Sequence, residues 1–78
     1  MKLSECKIGE VVKKINFLER IEGRVFVIDE KGNVLECDNI AHITGFGVCG
    51  FGHTIPKIKF ALGIEVLCHN ENLELYVD

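Results

Sequence analysis

The chain has 78 residues, of which 47% are hydrophobic and 27% are charged. This length accommodates one hydrophobic core, so residues 1–78 are expected to form a single domain. The formal net charge is −3 and no basic run exceeds Lys13-Lys14, which argues against a nucleic-acid partner.

No stretch approaches the roughly 20 apolar residues that a membrane-spanning helix needs, and the N-terminus lacks the apolar segment of a signal peptide. The chain is therefore expected to be cytoplasmic, with its four cysteines as reduced thiols. Its hydrophobic fraction is high for so short a domain. This predicts that excess apolar surface is buried in a homo-oligomer.

Residues 10–18 are the first predicted strand, with Val11, Ile15 and Phe17 directed inward. The alternative is an amphipathic helix over the same segment, because its apolar residues also recur at helical spacing. The strand is favoured because Gly9 would lie inside such a helix.

A hairpin is the clearest element, with strands over residues 24–29 and 34–44 around a polar, glycine-containing loop. Alternation along the second strand predicts two faces. One face carries Leu35, Cys37, Ala41 and Ile43, and the other carries Glu36, Asp38 and His42.

Residues 57–68 alternate between apolar and other side chains, which predicts one long strand bent near Gly63. The alternative is a short helix in which Thr54 is the N-cap and Gly63 the C-cap. A last strand is predicted over residues 72–77.

Five short strands joined mostly by tight turns predict a mainly β fold. The expected architecture is a small five-stranded SH3-like barrel or a twisted antiparallel sheet, with one short helix as the open alternative.

Residues 44–56 differ from the rest of the chain because they hold four of the eight glycines and repeat Gly-Phe-Gly twice. Such a segment predicts a loop whose backbone can approach a ligand closely or bind an anion through its N–H groups. The alternative is a plain connection whose phenylalanines cover one end of the core. The candidate ligand-binding residues are Gly45, Phe46, Gly47, Cys49, Gly50, Phe51, Gly52 and His53.

Cys49 and His53 are the candidate ligands for a soft metal, because both lie in this segment. Zinc requires about four converging ligands. Cys37 and His42 would bring the set to four, but they are expected on opposite faces of one strand, which argues against convergence of the four on one metal ion. The same Cys49–His53 pair is the one local nucleophile and base, and no third group is placed to orient it. An enzyme is therefore not the favoured interpretation.

Both ends of the chain resemble FeoA-type proteins, which are small SH3-like barrels associated with bacterial ferrous iron transport. The likeness rests on Met1-Lys2-Leu3-Ser4-Glu5 with Ile8-Gly9-Glu10, and on Gly63-Ile64-Glu65-Val66-Leu67 with residues 73–77. The resemblance implies the barrel shape.

Residues 40–75 resemble the C-terminal part of selenophosphate synthetases. The matching residues are Ile43-Thr44-Gly45-Phe46-Gly47 and Gly50, with His69-Asn70 after the next apolar strand. The ATP-binding half of that family is missing, so its synthetase activity is not implied. The resemblance implies a glycine-rich anion or chalcogen site beside Cys49.

The leading functional hypothesis is a non-enzymatic binding module that oligomerises and binds a partner protein or small ligand through residues 44–56. The alternative is a carrier or sensor of a soft metal, or of selenium or sulfur, that uses Cys49 and His53. A weaker alternative is an Sm-like RNA-binding barrel, suggested by the Asp29-x-x-x-Asn33 hairpin, although the acidic balance opposes it.

Overall fold

The computed structural model describes residues 1–15 and 24–77. The described strands are β1 Val11–Lys14, β2 Arg24–Ile28, β3 Val34–Asp38, β4 Ile40–Val48, β5 Thr54–Phe60, β6 Glu65–Leu67 and β7 Leu73–Leu75. Two 3₁₀ turns, Leu3–Glu5 and Asn70–Asn72, are also present. The predicted mainly β fold of antiparallel strands is confirmed. No helix in residues 1–15 and 24–77 is long and apolar enough to cross a membrane.

Five strands form one antiparallel sheet in the order β6-β5-β4-β1-β7, and β2 and β3 form a separate two-stranded sheet. Side chains from both sheets meet in one core. Its buried members are Cys6, Val12, Val25, Val27, Cys37, Ala41, Ile43, Ile58, Phe60, Cys68 and Leu73.

The faces predicted for residues 34–44 are confirmed: Cys37, Ala41 and Ile43 are buried, Leu35 is half-buried, and the three predicted outward residues are exposed. The segment is two strands rather than one, because the chain changes sheet at Asn39. The side chain of Asn39 is buried, and its Nδ2 donates to the Lys14 carbonyl at 3.1 Å. This hydrogen bond provides the polar partner that a buried amide needs.

The predicted register of β1 was wrong by one residue. Val12 is completely buried and Val11 is exposed, because Val12 pairs with Ala41 on the core face of β4. The strand assignment itself is correct for Val11–Lys14, so the helical alternative is wrong there. The predicted inward Phe17 lies outside the described residues.

The single bent strand predicted over residues 57–68 was wrong, and so was the helical alternative. β5 and β6 are antiparallel neighbours, with Ile58 opposite Val66, so the chain reverses between them. Gly63 has φ +84° in this turn, and the N–H of Gly63 donates to the Phe60 carbonyl at 2.9 Å. Leu62 lies in this turn and is exposed.

The N-terminal segment is tied to the C-terminal part of the chain. The Met1 ammonium group donates to the carbonyls of Leu73 at 2.7 Å and Asn70 at 3.1 Å. The Asn70 side chain in turn donates to the Met1 carbonyl at 2.9 Å. Cys6, which follows this segment, is buried in the core.

Candidate functional site

Residues 44–56 are a β-hairpin, so the long glycine-rich loop predicted from the sequence was wrong. β4 continues to Val48, β5 begins at Thr54, and only residues 49–53 form the turn. The N–H of Cys49 donates to the His53 carbonyl at 2.9 Å, and the N–H of Gly52 donates to the Cys49 carbonyl at 2.9 Å. Gly52 has φ +82°, a backbone conformation that favours glycine.

The eight predicted site residues therefore divide between two places in one hairpin. Gly45, Phe46 and Gly47 lie in β4, whereas Cys49, Gly50, Phe51, Gly52 and His53 form the turn. The signal that identifies the strand is alternation of period two, because Phe46 and Val48 are apolar and are separated by Gly47.

Three exposed apolar side chains mark the end of the hairpin. Phe51 at the tip is 88% exposed, Val48 is 63% exposed and Phe46 is 41% exposed. Phe46 and Val48 lie two residues apart in β4 and so point to the same face. Val48 was not among the residues predicted from the sequence. No charged residue occurs from position 39 to position 55, so this apolar surface is also uncharged.

The opposite face of the hairpin is closed by a packing contact. A side chain on Gly47 would meet the end of Leu67, so the glycine leaves room for Leu67 to cover this part of β4. Ile55, the cross-strand partner of Gly47, is buried although it lies near the end of the hairpin. One face near the tip is thus covered, and the other presents Phe46 and Val48.

A β-bulge at Thr44 marks the base of the hairpin, where the pairing of β4 with β5 shifts between Ile43 and Gly45. The Thr44 hydroxyl is 2.7 Å from Oε2 of Glu65 and donates to this carboxylate. The bulge and its link to β6 hold the outer part of β4 in a defined direction, because bulges bend and twist the strand that contains them.

Cys49 differs from the other three cysteines, which are buried, because it is only half-buried. Burial also raises the pKa of the Cys6 thiol above its ordinary value of 9.0. His53 is exposed, and its backbone bonds Cys49 across the turn. In residues 1–15 and 24–77 no group of three or more His, Cys, Asp or Glu side chains is placed to hold a metal ion. Cys49 and His53 therefore provide two metal-binding side chains in one turn, fewer than a zinc site needs.

A cavity of about 580 Å³ lies away from the hairpin, between the β2–β3 turn and the β5–β6 turn. Asp29 stands at its rim and accepts hydrogen bonds from the N–H groups of Asn33 and Lys31, at 2.8 and 2.9 Å. The backbone bond from Asn33 is the main reason why the pKa of Asp29 lies below 3.8. The Asp29 and Asn33 pair, which suggested an Sm-like barrel, thus holds its own turn together.

Comparison of the chain with protein-family models, with curated proteins and with solved structures finds no match. The two family resemblances rest on the short motifs in the sequence. The functional interpretation rests on the hairpin and its surface.

Proposed function

We propose that this chain is a non-enzymatic binding module that self-associates and engages another protein surface through the β4–β5 hairpin. The observation that carries this proposal is the group of exposed side chains Phe46, Val48 and Phe51 at the uncharged end of the hairpin. Interface cores are depleted in charged residues and enriched in aromatic ones, and this end of the hairpin has both properties.

The shape of the hairpin favours a protein over a small ligand. Small-molecule sites are concave and bury most of the ligand surface. Phe51 instead projects from the tip of a turn, and the cavity found among the described residues lies at other turns of the molecule. A projecting apolar tip is suited to a complementary hollow on a protein.

Sedimentation equilibrium at rising protein concentration tests this function. At high micromolar concentration we expect the wild-type protein to have a molecular mass greater than that of one chain. The Phe51→Ser variant should have the mass of a single chain. Ile28→Ser is the matched control, because Ile28 is also an exposed apolar residue, but it lies in β2. A wild-type chain that stays monomeric, or equal loss of association in both variants, would contradict the proposal.

A second candidate function is transport or sensing of a soft metal, or of selenium or sulfur, through Cys49 and His53. The half-buried Cys49 thiol beside His53 in one turn supports it. Two ligands of one chain do not complete a zinc site, so this function would require ligands from elsewhere. Elemental analysis of untagged protein tests it, with Cys49→Ser as the control that should lose any bound element.

A further inference from the structure

The outer half of β4 has one open edge. β1 pairs with β4 through Ile40, Ala41 and His42, and Ile43 then exchanges hydrogen bonds with Gly9 and Glu10. From Gly45 to Val48, β4 pairs with β5 on one side. On the other side no strand pairs with it in the part of the chain that the structure describes.

The pairing pattern shows which backbone groups point to this open edge. The Pro56 carbonyl accepts from the N–H of Cys68 at 3.0 Å, so Pro56 directs its carbonyl away from β4. Its partner Phe46 is therefore in a pair that is not hydrogen-bonded to β5. Because such pairs alternate, Val48 is in the same state. The N–H and carbonyl groups of Phe46 and Val48 thus face the open edge.

This edge lacks the charges and the proline that protect many exposed strands. Edge strands are usually short, or carry charges or proline that prevent pairing with another chain. β6 and β7, at the two ends of the same sheet, have three residues each and carry Glu65 and Glu74. The open part of β4, from Gly45 to Val48, has neither charge nor proline.

We propose that the open edge of β4 pairs antiparallel with the same edge of a second copy, about a two-fold axis at Gly47. This inference rests on the self-association proposed above and adds its geometry. Phe46 lies opposite Val48 of the second copy, and each such pair exchanges both of its backbone hydrogen bonds. Gly45 lies opposite Cys49 of the second copy in a pair without hydrogen bonds.

A second copy of this chain fits the open edge, because the edge is uncharged and its N–H and carbonyl groups complement one another about the two-fold axis. Two copies, each with a net charge of −3, repel one another in general, but no charge occurs between positions 39 and 55, where they would meet. The register also brings Phe51 of the second copy to the turn at residues 7–10. Ile8, which is 69% exposed, lies in that turn and offers an apolar contact.

Disulfide trapping tests the register. In antiparallel pairs without hydrogen bonds the Cα atoms are about 4.5 Å apart, which a disulfide can span. Gly45→Cys should therefore cross-link to the native Cys49 of a second copy under mild oxidation with diamide. A cysteine at position 45 has open space, because nothing lies within 4 Å of its Cβ position. Within one chain the two positions are four residues apart, from β4 to the first residue of the turn, which in extended backbone is about 13 Å, so no internal disulfide competes.

Two controls define the result of the trapping experiment. Gly45→Cys with Cys49→Ser should lose the covalent dimer, because the acceptor thiol is removed. Phe46→Cys should give little dimer, because its side chain points to the other face of the sheet. We expect near-complete conversion for Gly45→Cys and loss of the dimer in both controls. Equal cross-linking of Phe46→Cys and Gly45→Cys would overturn the proposed register.

Amide hydrogen exchange of the wild-type chain gives an independent measurement. The N–H groups of Phe46 and Val48 should exchange more slowly as concentration rises, whereas that of Gly47 should change little because it already bonds β5. An oligomer in which neither amide gains protection would overturn this geometry and leave the proposed function standing. A wild-type chain that is monomeric throughout would refute both.

Discussion

A Cβ atom on Gly47 would lie 2.6 Å from Cδ2 of Leu67 and 3.1 Å from its Cδ1. Gly47 is in β4 and Leu67 is in β6, with β5 between them, so the side chain of Leu67 reaches across one strand to cover the glycine. The glycine is required by this contact and not by its backbone conformation, since Gly47 is not among the glycines with positive φ.

Replacement of Gly47 by alanine should destabilise the fold by about 1 kcal/mol, because overpacking forces Leu67 to move. Leu67 is partly exposed, which lets it rotate outward and keeps the cost low. In a Leu67→Ala background the same replacement should cost almost nothing, and urea denaturation of the double-mutant cycle measures the difference. Gly45→Ala is the matched control, since nothing lies within 4 Å of its Cβ position. An equal cost of Gly47→Ala in both backgrounds would show that Leu67 is not the cause.

The four thiols should differ in their reactivity toward an alkylating reagent under native conditions. Cys49 is expected to react first, because it is half-buried whereas Cys6, Cys37 and Cys68 are buried. The raised pKa of the Cys6 thiol reduces its reactive thiolate further. Mass spectrometry of timed samples identifies the modified residue. Rapid labelling of Cys6 would show that the N-terminal segment does not stay packed.

Replacement of cysteine by serine should destabilise the fold at a buried position and leave it nearly unchanged in the turn. Cys49→Ser is expected to leave the free energy of unfolding nearly unchanged, because position 49 lies in the turn. Cys37→Ser should lower it by about 1–3 kcal/mol, because a hydroxyl replaces a thiol in the core. Comparable losses in the two variants would contradict the burial of Cys37.

Asp29 should give the β2–β3 turn a pH-dependent contribution to stability. The hydrogen bonds from Asn33 hold the pKa of Asp29 below 3.8 in the folded state, so folding favours the ionised carboxylate. The contribution is present above the ordinary Asp pKa and is lost as pH falls through the lower folded-state pKa. The stability difference between wild type and Asp29→Ala should therefore narrow at acid pH, as measured by urea denaturation. A difference that stays constant with pH would exclude this titration as the source.

Asn39 should be intolerant of replacement although it lies between two strands. Asn39→Ala removes the donor to the Lys14 carbonyl and should cost about 1–3 kcal/mol. Asn39→Asp should cost more at neutral pH, because it buries a carboxylate beside a carbonyl oxygen. Thermal unfolding at neutral and acid pH compares the variants. If aspartate were tolerated as well as alanine at neutral pH, the buried position of this side chain would be wrong.

Some features of this protein follow from the sequence alone. The faces of residues 34–44 could be predicted because side chains on an extended strand alternate strictly. The β2–β3 hairpin could be predicted because Asp29 and Gly32 suit a tight turn. The glycine-rich, uncharged character of residues 44–56 was also visible in composition, although their hairpin structure was not.

Other features depend on partners that are distant in the chain. Val11 and Val12 are equally apolar, and only pairing of Val12 with Ala41 decides which of them is buried. Alternation through residues 57–68 predicts faces but does not say whether the chain bends or reverses. Gly63 permits the reversal, and the pairing of β6 with β5 stabilises it.

The candidate site likewise combines features that follow from the sequence with features that depend on strand pairing. Glycine is common in loops, so the glycines of this segment favoured a loop. The short alternation of Phe46, Gly47 and Val48 does not show that Gly45 and Gly47 pair with β5. Local sequence determined which side chains are apolar and where charge is absent. Tertiary structure decided that these residues form a hairpin with one open edge, because Gly45 and Gly47 pair across the turn with β5 and Leu67 of β6 packs over Gly47.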